Sequence, residues 1–223
     1  MSAVSVGRAR EVRFERVAAA AAIVVGVGGV AYSIAFVILL YEGAPKAANV
    51  LSSVFLLAGG IAASALFVGL YERFRPTDPG FALWALLLGS IGAFGSAAHG
   101  GYDLANIIRT PRTLDASVPS STDPRGLATF GLTALAIAVV SLLILRLGDF
   151  PRSFAYLGFA AVAALLVIYF GRLIIYNPKS PGLLTVALLT GFLINPAWYT
   201  WLGLHLWRNP QAQPEPAPQS TPR

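Results

Sequence analysis

Apolar residues dominate six stretches of the chain, each about as long as a helix that crosses a bilayer. Such a helix needs roughly 20 apolar residues, and the stretches are separated by short segments rich in charge, proline or polar residues. They lack the alternation over about 10 residues that marks a transmembrane strand. The pattern therefore predicts six transmembrane helices, at 17–41, 47–71, 81–108, 126–145, 154–176 and 182–207.

The remaining segments have the composition of chain outside the bilayer. Residues 1–16 form a basic N-terminal segment, and 109–125 form a loop whose three prolines argue against a further helix. Residues 209–223 are rich in proline and glutamine and contain too few apolar residues to offset the entropy of ordering, so we expect a disordered tail.

Composition supports a membrane protein and excludes several kinds of chemistry. Hydrophobic residues make up 56% of the 223 positions and charged residues only 12%, whereas soluble domains carry about 25% charged residues. The chain has no cysteine, which excludes disulfides, thiolate nucleophiles and Cys-ligated metals. The predicted fold class is all-α, a polytopic membrane protein built as a six-transmembrane-helix bundle.

The basic residues predict the orientation of this bundle. Ten lysines and arginines fall on the side of the N-terminus and five on the other, with Arg172 inside a span. Because basic residues accumulate in cytoplasmic loops, both termini are expected in the cytoplasm, with the loop 109–125 outside. The net charge of +6 is then a topology signal, and we expect no nucleic-acid partner.

Small residues recur at helical spacing in the first three spans. Close backbone approach between membrane helices favours such residues. We therefore expect these helices to pack through stripes of small residues, namely Gly26, Gly29 and Ser33, then Gly60 and Ser64, then Gly92, Ser96 and Gly100.

Polar residues concentrate toward the outer ends of the third and fifth spans. Ser96, His99, Asp103 and Asn106 recur every three or four residues and so share one face of the third helix. Tyr169 and Arg172 lie at a similar depth in the fifth, since a rise of 1.5 Å per residue places both His99 and Arg172 about 27 Å across the membrane. Ionisable groups in a span indicate function by default.

These stripes predict an outward-facing polar pocket. Its candidate substrate-binding residues are Glu42, Ser96, His99, Asp103, Asn106, Tyr169, Arg172 and Asn195. The alternative is structural: Arg172 and Asp103 pair near the headgroups, or Arg172 snorkels, and the tyrosines belong to the interfacial aromatic belt.

The sixth span is interrupted by Asn195-Pro196. Proline removes one backbone donor and displaces the carbonyl of Phe192, so a kink is expected there. Two interpretations remain open, a packing kink with Asn195 bonded to another helix and a broken helix that lines a cavity.

Motifs for catalysis or cofactor binding are missing from the sequence. His99 and His205 lie at opposite membrane surfaces, more than about 20 Å apart by the helical rise, so they cannot be the two axial ligands of one haem. No Walker A, Gly-x-Ser-x-Gly or His-Glu-x-x-His pattern occurs. We expect no catalytic residue, no metal site and no cofactor, and an enzyme acting on lipid is the third alternative.

Three features together resemble an uncharacterised family of small six-helix bacterial membrane proteins, known only as a domain of unknown function. They are the long polar loop between the third and fourth spans, the entry to the fifth at 148–158 and the end of the sixth at 196–204. The resemblance implies a bacterial inner-membrane protein and carries no functional residues.

Two functions stay open on the sequence. In the first, the bundle binds or transports a small hydrophobic or weakly polar molecule through the outer pocket. In the second, it is a non-enzymatic accessory or sensory subunit whose polar residues serve packing only. The expected partners are the lipid bilayer and, in the first case, a small-molecule ligand, and the sequence leaves homo- or hetero-oligomers open.

Overall fold

The structure, a computed structural model, describes residues 3–39, 45–109, 127–148, 150–175 and 180–210. These residues are helical and contain no β-strand, as the apolar runs predict. The α-helices are α1 (Ala3–Ser33), α2 (Pro45–Phe74), α3 (Pro79–Arg109), α4 (Thr133–Leu147), α5 (Arg152–Ile175), α6 (Pro181–Leu189) and α7 (Asn195–Arg208). The predicted loop 109–125 and the tail after Pro210 lie almost entirely outside the described residues.

Within the described ranges, six helical segments are long and apolar enough to cross a membrane. They are Phe14–Ser33, Lys46–Phe74, Pro79–Ile108, Ala128–Leu147, Arg152–Gly171 and Pro181–Arg208. The sixth consists of α6 and α7 joined by a π-helical turn, Thr190–Ile194. This confirms the prediction of a helical chain with six segments long and apolar enough to cross a membrane, and it indicates a multi-pass membrane protein.

Successive spans pack side by side, and the last one closes the bundle against the first. α1 contacts both α2 and α7, α2 contacts α3, α3 contacts α4, and α4 contacts α5. We call the end near Glu15, Phe74 and Arg208 the proximal end, and the end near Ser33 and Pro181 the distal end.

The apolar core fills the proximal half of this bundle. Its buried members contain no residue between 23 and 65 or between 166 and 197 within the described ranges. The largest fully buried side chains in it include Phe67, Phe74, Phe154, Trp198 and Leu202. Aromatic contacts hold the centre together, with Phe154 stacked on Trp198 at a ring-centroid distance of 5.6 Å.

Small residues mediate several helix contacts, although not along the predicted stripes in full. A Cβ at Gly60 or Gly100 would overlap backbone atoms across the α2–α3 contact, and Gly26 lies against Thr200 of α7. Gly92 instead faces Thr133 of α4, Gly29 has open space around it, and Ser64 is exposed. The reason is geometric, because α3 packs between two neighbours and divides its small residues between them.

Candidate binding site in the distal half

Whereas the largest fully buried apolar side chains lie in the proximal half, most of the buried polar side chains of the described residues lie in the distal half. The buried polar side chains there are Ser33, Asn49, Ser52, Ser53 and Thr190. A polar group transferred out of water without a hydrogen bond costs a few kcal/mol. The concentration of these buried polar side chains in one half of the bundle therefore indicates a structural or a functional role.

The predicted polar stripe on α3 lies in this half. Ser96, His99, Asp103 and Asn106 are all half-buried. The Nε2 atom of His99 lies 3.2 Å from Oδ2 of Asp103, and the two side chains are 16% and 22% exposed. The spacing of four residues places them one helical turn apart, which is why the sequence alone brings these two together.

The other ring nitrogen of His99, Nδ1, is the atom of this pair that is left for a further hydrogen bond. Nδ1 is buried and has no hydrogen-bond partner among the described residues. When Nε2 donates its proton to the Asp103 carboxylate, Nδ1 of the neutral ring carries a lone pair and accepts a hydrogen bond. In this tautomer the pair presents one buried acceptor whose partner is not supplied by the described protein atoms.

The stripe faces the beginning of the fourth span. Gly92 and Gly95, one to two turns earlier on the same side of α3, approach Ala128 and Thr133. The fourth span begins with a π-helical segment, Leu127–Leu132, which packs against both α3 and α5. In the described part of the chain this segment, rather than a direct α3–α5 contact, connects the two helices of the predicted pocket.

A second polar group, on α2, was not predicted from the sequence. The hydroxyls of Ser52 and Ser53 donate to the carbonyl oxygen of Asn49, at 3.1 and 2.6 Å. Nδ2 of Asn49 is buried and lacks a hydrogen-bond partner within the described ranges. In the sequence, Ser52 and Ser53 follow Asn49 by three and four residues inside an apolar run. This spacing places the three side chains near one another on a helix and could have predicted the group.

Asn195 lies where the sixth span changes its helical geometry. Its backbone N–H donates to the carbonyl oxygen of Thr190, five residues earlier, and Pro196 occupies the first turn of α7. Proline is well tolerated there because the first helical N–H groups have no partner within the helix. The Asn195-Pro196 interruption is therefore a π-helical turn followed by a new α-helix, and Oδ1 of Asn195 is buried without a partner in the described residues.

The remaining predicted site residues are Glu42, Arg172 and Tyr169. Glu42 lies outside the described residues, and of Arg172 the structure describes the backbone, within α5, but not the side chain. Tyr169 is half-buried, and its ring contacts that of Phe170 at 5.1 Å. The proposed pairing of Arg172 with Asp103 stays a prediction.

The proximal end holds a buried ion pair that sequence reasoning missed. Arg73 is only 4% exposed, and its Nη1 lies 2.6 Å from Oε1 of Glu15. The same nitrogen donates to the carbonyl oxygen of Asn209 at 3.0 Å, and the guanidinium lies over the ring of Phe150 at 5.1 Å. This arginine joins α1, α2, the end of α7 and the α4–α5 connection, and therefore has a structural role.

Comparison of the chain with protein-family models, curated proteins and solved structures finds no match. With the six-helix family that the sequence resembles, the structure shares a helical bundle with six apolar spans.

Proposed function

We propose that the protein is a multi-pass membrane protein that binds or transports a small hydrophobic or weakly polar molecule in the distal half of its bundle. The observation that carries the proposal is the buried Nδ1 atom of His99, held by the contact with Asp103 and lacking a partner among described atoms. Buried polar atoms in native proteins are nearly always hydrogen-bonded. A ligand with a donor group supplies the missing bond.

The polar atoms define the chemical class of this ligand. His99 Nδ1 and Asn195 Oδ1 accept hydrogen bonds, whereas Asn49 Nδ2 donates. The carboxylate of Asp103 already contacts His99. On the proposal that these three atoms face one ligand, a neutral molecule with an apolar body and one or two hydroxyl, amide or carbonyl groups matches them better than an ion does.

The helical geometry gives independent support. Three π-helical segments occur in the described chain, Ile34–Leu39, Leu127–Leu132 and Thr190–Ile194. They lie at the distal ends of the first and fourth spans and near the middle of the sixth. Such wide turns are rare and are found frequently at functional sites, because they leave backbone groups irregularly spaced.

We further propose that the bundle resides in a bacterial inner membrane with both termini in the cytoplasm, so that the distal half opens to the outside. The excess of basic residues on the terminal side supports this orientation. Membership of the six-helix family that the chain resembles belongs to the same proposal.

A ligand panel tests the function directly. We expect purified protein in detergent to be stabilised against heat by a member of a panel of quinones, neutral lipids and weakly polar metabolites. His99→Phe and Asn49→Leu should each weaken that ligand about tenfold, the loss of one net hydrogen bond. Ser64→Ala, which removes an exposed hydroxyl bonded to its own helix, is the control and should leave binding unchanged.

Two outcomes would contradict the proposal. One is the absence of thermal stabilisation by every compound in the panel. The other is a ligand whose affinity neither His99→Phe nor Asn49→Leu alters, since that ligand would bind elsewhere on the protein.

A non-enzymatic accessory or sensory subunit is the second candidate. The hydroxyls of Ser52, Ser53 and Thr190 all bond to carbonyls of their own helices, which is a structural use of buried polar groups. On this proposal replacements at His99 and Asn49 leave the folded protein intact and change no ligand response.

A further inference from the structure

We infer that the proximal end carries a second site, independent of the distal one, that binds an anionic phospholipid between α1 and α7. One acyl chain lies in the groove between these helices and the phosphate contacts Arg16 and Arg208. Three observations support the site: the shape of the groove, the arginines beside it and the tryptophan that joins them.

The groove follows from an uneven contact between the two helices. Gly203 brings the backbone of α7 against Ala19 and Ile23 of α1, so closely that a Cβ would overlap them. Beside this contact the helices leave an open apolar groove of about 350 Å³, lined by Ala20, Ile23, Val24, Leu204 and Trp207. A groove on the outside of a bundle in a bilayer is filled by lipid chains, since unfilled space forfeits dispersion contacts.

The basic residues lie at the proximal mouth of this groove. Arg16 lies one turn before Ala20 on α1, and Arg208 follows Trp207 on α7. Residues three to four apart share a helix face, so Arg16 continues the line of Ala20, Ile23 and Val24 toward the membrane surface. An acyl chain in the groove therefore places its phosphate near the exposed guanidinium of Arg16.

These two arginines differ from three others at the same end. Arg73, Arg75 and Arg146 each lie within 3 Å of a carboxylate oxygen, from Glu15, Glu72 and Asp78 respectively. Arg16 and Arg208 are exposed and have no acidic partner in the described part of the chain. An anionic headgroup satisfies charges that the described residues leave without an acidic partner.

Trp207 connects the polar and apolar parts of the site. The guanidinium of Arg16 lies 6.0 Å from the centre of its ring, at the outer limit of a cation–π interaction. The ring is 52% exposed and also lines the groove. Tryptophan at this depth is typical of the bilayer interface, where one part of the ring meets headgroups and the other meets chains.

The test uses Trp207 as the reporter. Full-length protein in detergent is titrated with phosphatidylglycerol or phosphatidylcholine carrying brominated chains, which quench tryptophan fluorescence on contact. We expect phosphatidylglycerol to bind about 25-fold more tightly, since each of the two arginines near a membrane surface adds about a factor of five for anionic lipid. Trp207→Phe should remove most of the quenching that phosphatidylglycerol produces.

Variants then test separately how the arginine charges and the shape of the groove contribute to lipid binding. Arg16→Gln with Arg208→Gln should abolish the preference for phosphatidylglycerol. Arg152→Gln, which removes an exposed charge at the start of α5, is the matched control and should keep it. Ala20→Phe fills the groove without changing the charge and should weaken phosphatidylglycerol at least tenfold while circular dichroism stays native.

The inference is overturned by any of three results. The first is a wild type that shows no preference between the lipids. The second is an Arg152→Gln variant that loses as much affinity as the double variant Arg16→Gln, Arg208→Gln, which indicates diffuse attraction to a basic surface. The third is unchanged binding in a folded Ala20→Phe variant. Because the distal residues are untouched, none of these results bears on the proposed ligand site.

Discussion

Gly158 lies at the contact of α5 with α4 and α7. A Cβ at this position would overlap the hydroxyl of Ser141 on α4 and would lie 2.9 Å from the indole nitrogen of Trp198 on α7. Ser141 and Trp198 are fully buried, and neither polar atom has a hydrogen-bond partner among the described residues. Because Gly158 has no side chain, α4, α5 and α7 approach one another closely at this residue.

Substitution of this glycine should therefore destabilise the bundle. We expect Gly158→Ala to lower the unfolding free energy by about 1 to 3 kcal/mol, the usual effect of overpacking a core. The matched control is Gly29→Ala, because the Cβ of that residue meets nothing within 4 Å. Thermal unfolding in detergent, followed by gel filtration, measures both.

A second substitution identifies the cause. Ser141→Ala removes the hydroxyl that the new Cβ meets, so the double variant Ser141→Ala, Gly158→Ala should recover part of the loss. Equal melting temperatures for Gly158→Ala and Gly29→Ala would show that the three helices are not in close contact at this residue.

At the scale of elements, the Arg73–Glu15 pair joins α1 and α2, which also meet where Gly69 lies against Ala18. Removing one partner of a buried ion pair leaves a desolvated charge and costs about 3 to 5 kcal/mol. Exposed pairs contribute at most about 1 kcal/mol. Both kinds occur near the end of α2, because Glu72 and Arg75, which directly follows the helix, form a pair with half-exposed side chains.

We predict that Glu15→Ala lowers the melting temperature strongly and that Glu72→Ala changes it little. Both substitutions replace a helical glutamate with alanine, so helix propensity cancels in the comparison. Glu15→Ala combined with Arg73→Met should lose less than the sum of the single variants. Equal effects of the two glutamate substitutions would mean that Arg73 is solvated.

The distal ends of α3 and α5 supply the next prediction. If Arg172 pairs with Asp103 in a partly desolvated site, either single alanine variant strands the other charge, with a loss of about 3 to 5 kcal/mol. We expect Arg172→Ala and Asp103→Ala each to destabilise the solubilised protein and the double variant to lose much less than their sum. Small additive losses would show that both side chains extend into headgroup water.

For the whole molecule, the distribution of basic residues predicts the orientation in the membrane. The proximal end carries Glu15 of α1 and Asn209 after α7, which both contact Arg73, so the first and last spans begin and end on one side. An even number of spans is consistent with this arrangement, and by the positive-inside rule we predict that this side is the cytoplasmic one.

Cysteine labelling tests this orientation in a chain that has no cysteine of its own. We expect Ser120→Cys to react with a membrane-impermeant maleimide on intact cells and Gln213→Cys to react only after lysis. The reverse pattern would show that the arginine count gives the wrong orientation.

The sequence by itself determined the elements and the polar stripe on the third. Apolar runs bounded by charge and proline define six spans, because the length of a helix that crosses a bilayer is set by the bilayer. His99 and Asp103 were predicted together because a separation of four residues makes them neighbours on any α-helix. These are local properties that need no knowledge of which helices touch.

Only the tertiary structure decided which faces meet. In an apolar chain the lipid-facing and helix-facing sides look alike in sequence, because lipid tails are as apolar as leucine. The burial of Arg73, the glycine contact at Gly158 and the placement of Leu127–Leu132 between α3 and α5 all depend on how closely the backbones approach. The distance between two helix backbones depends on small residues on both helices. It therefore cannot be predicted from a single stretch of sequence.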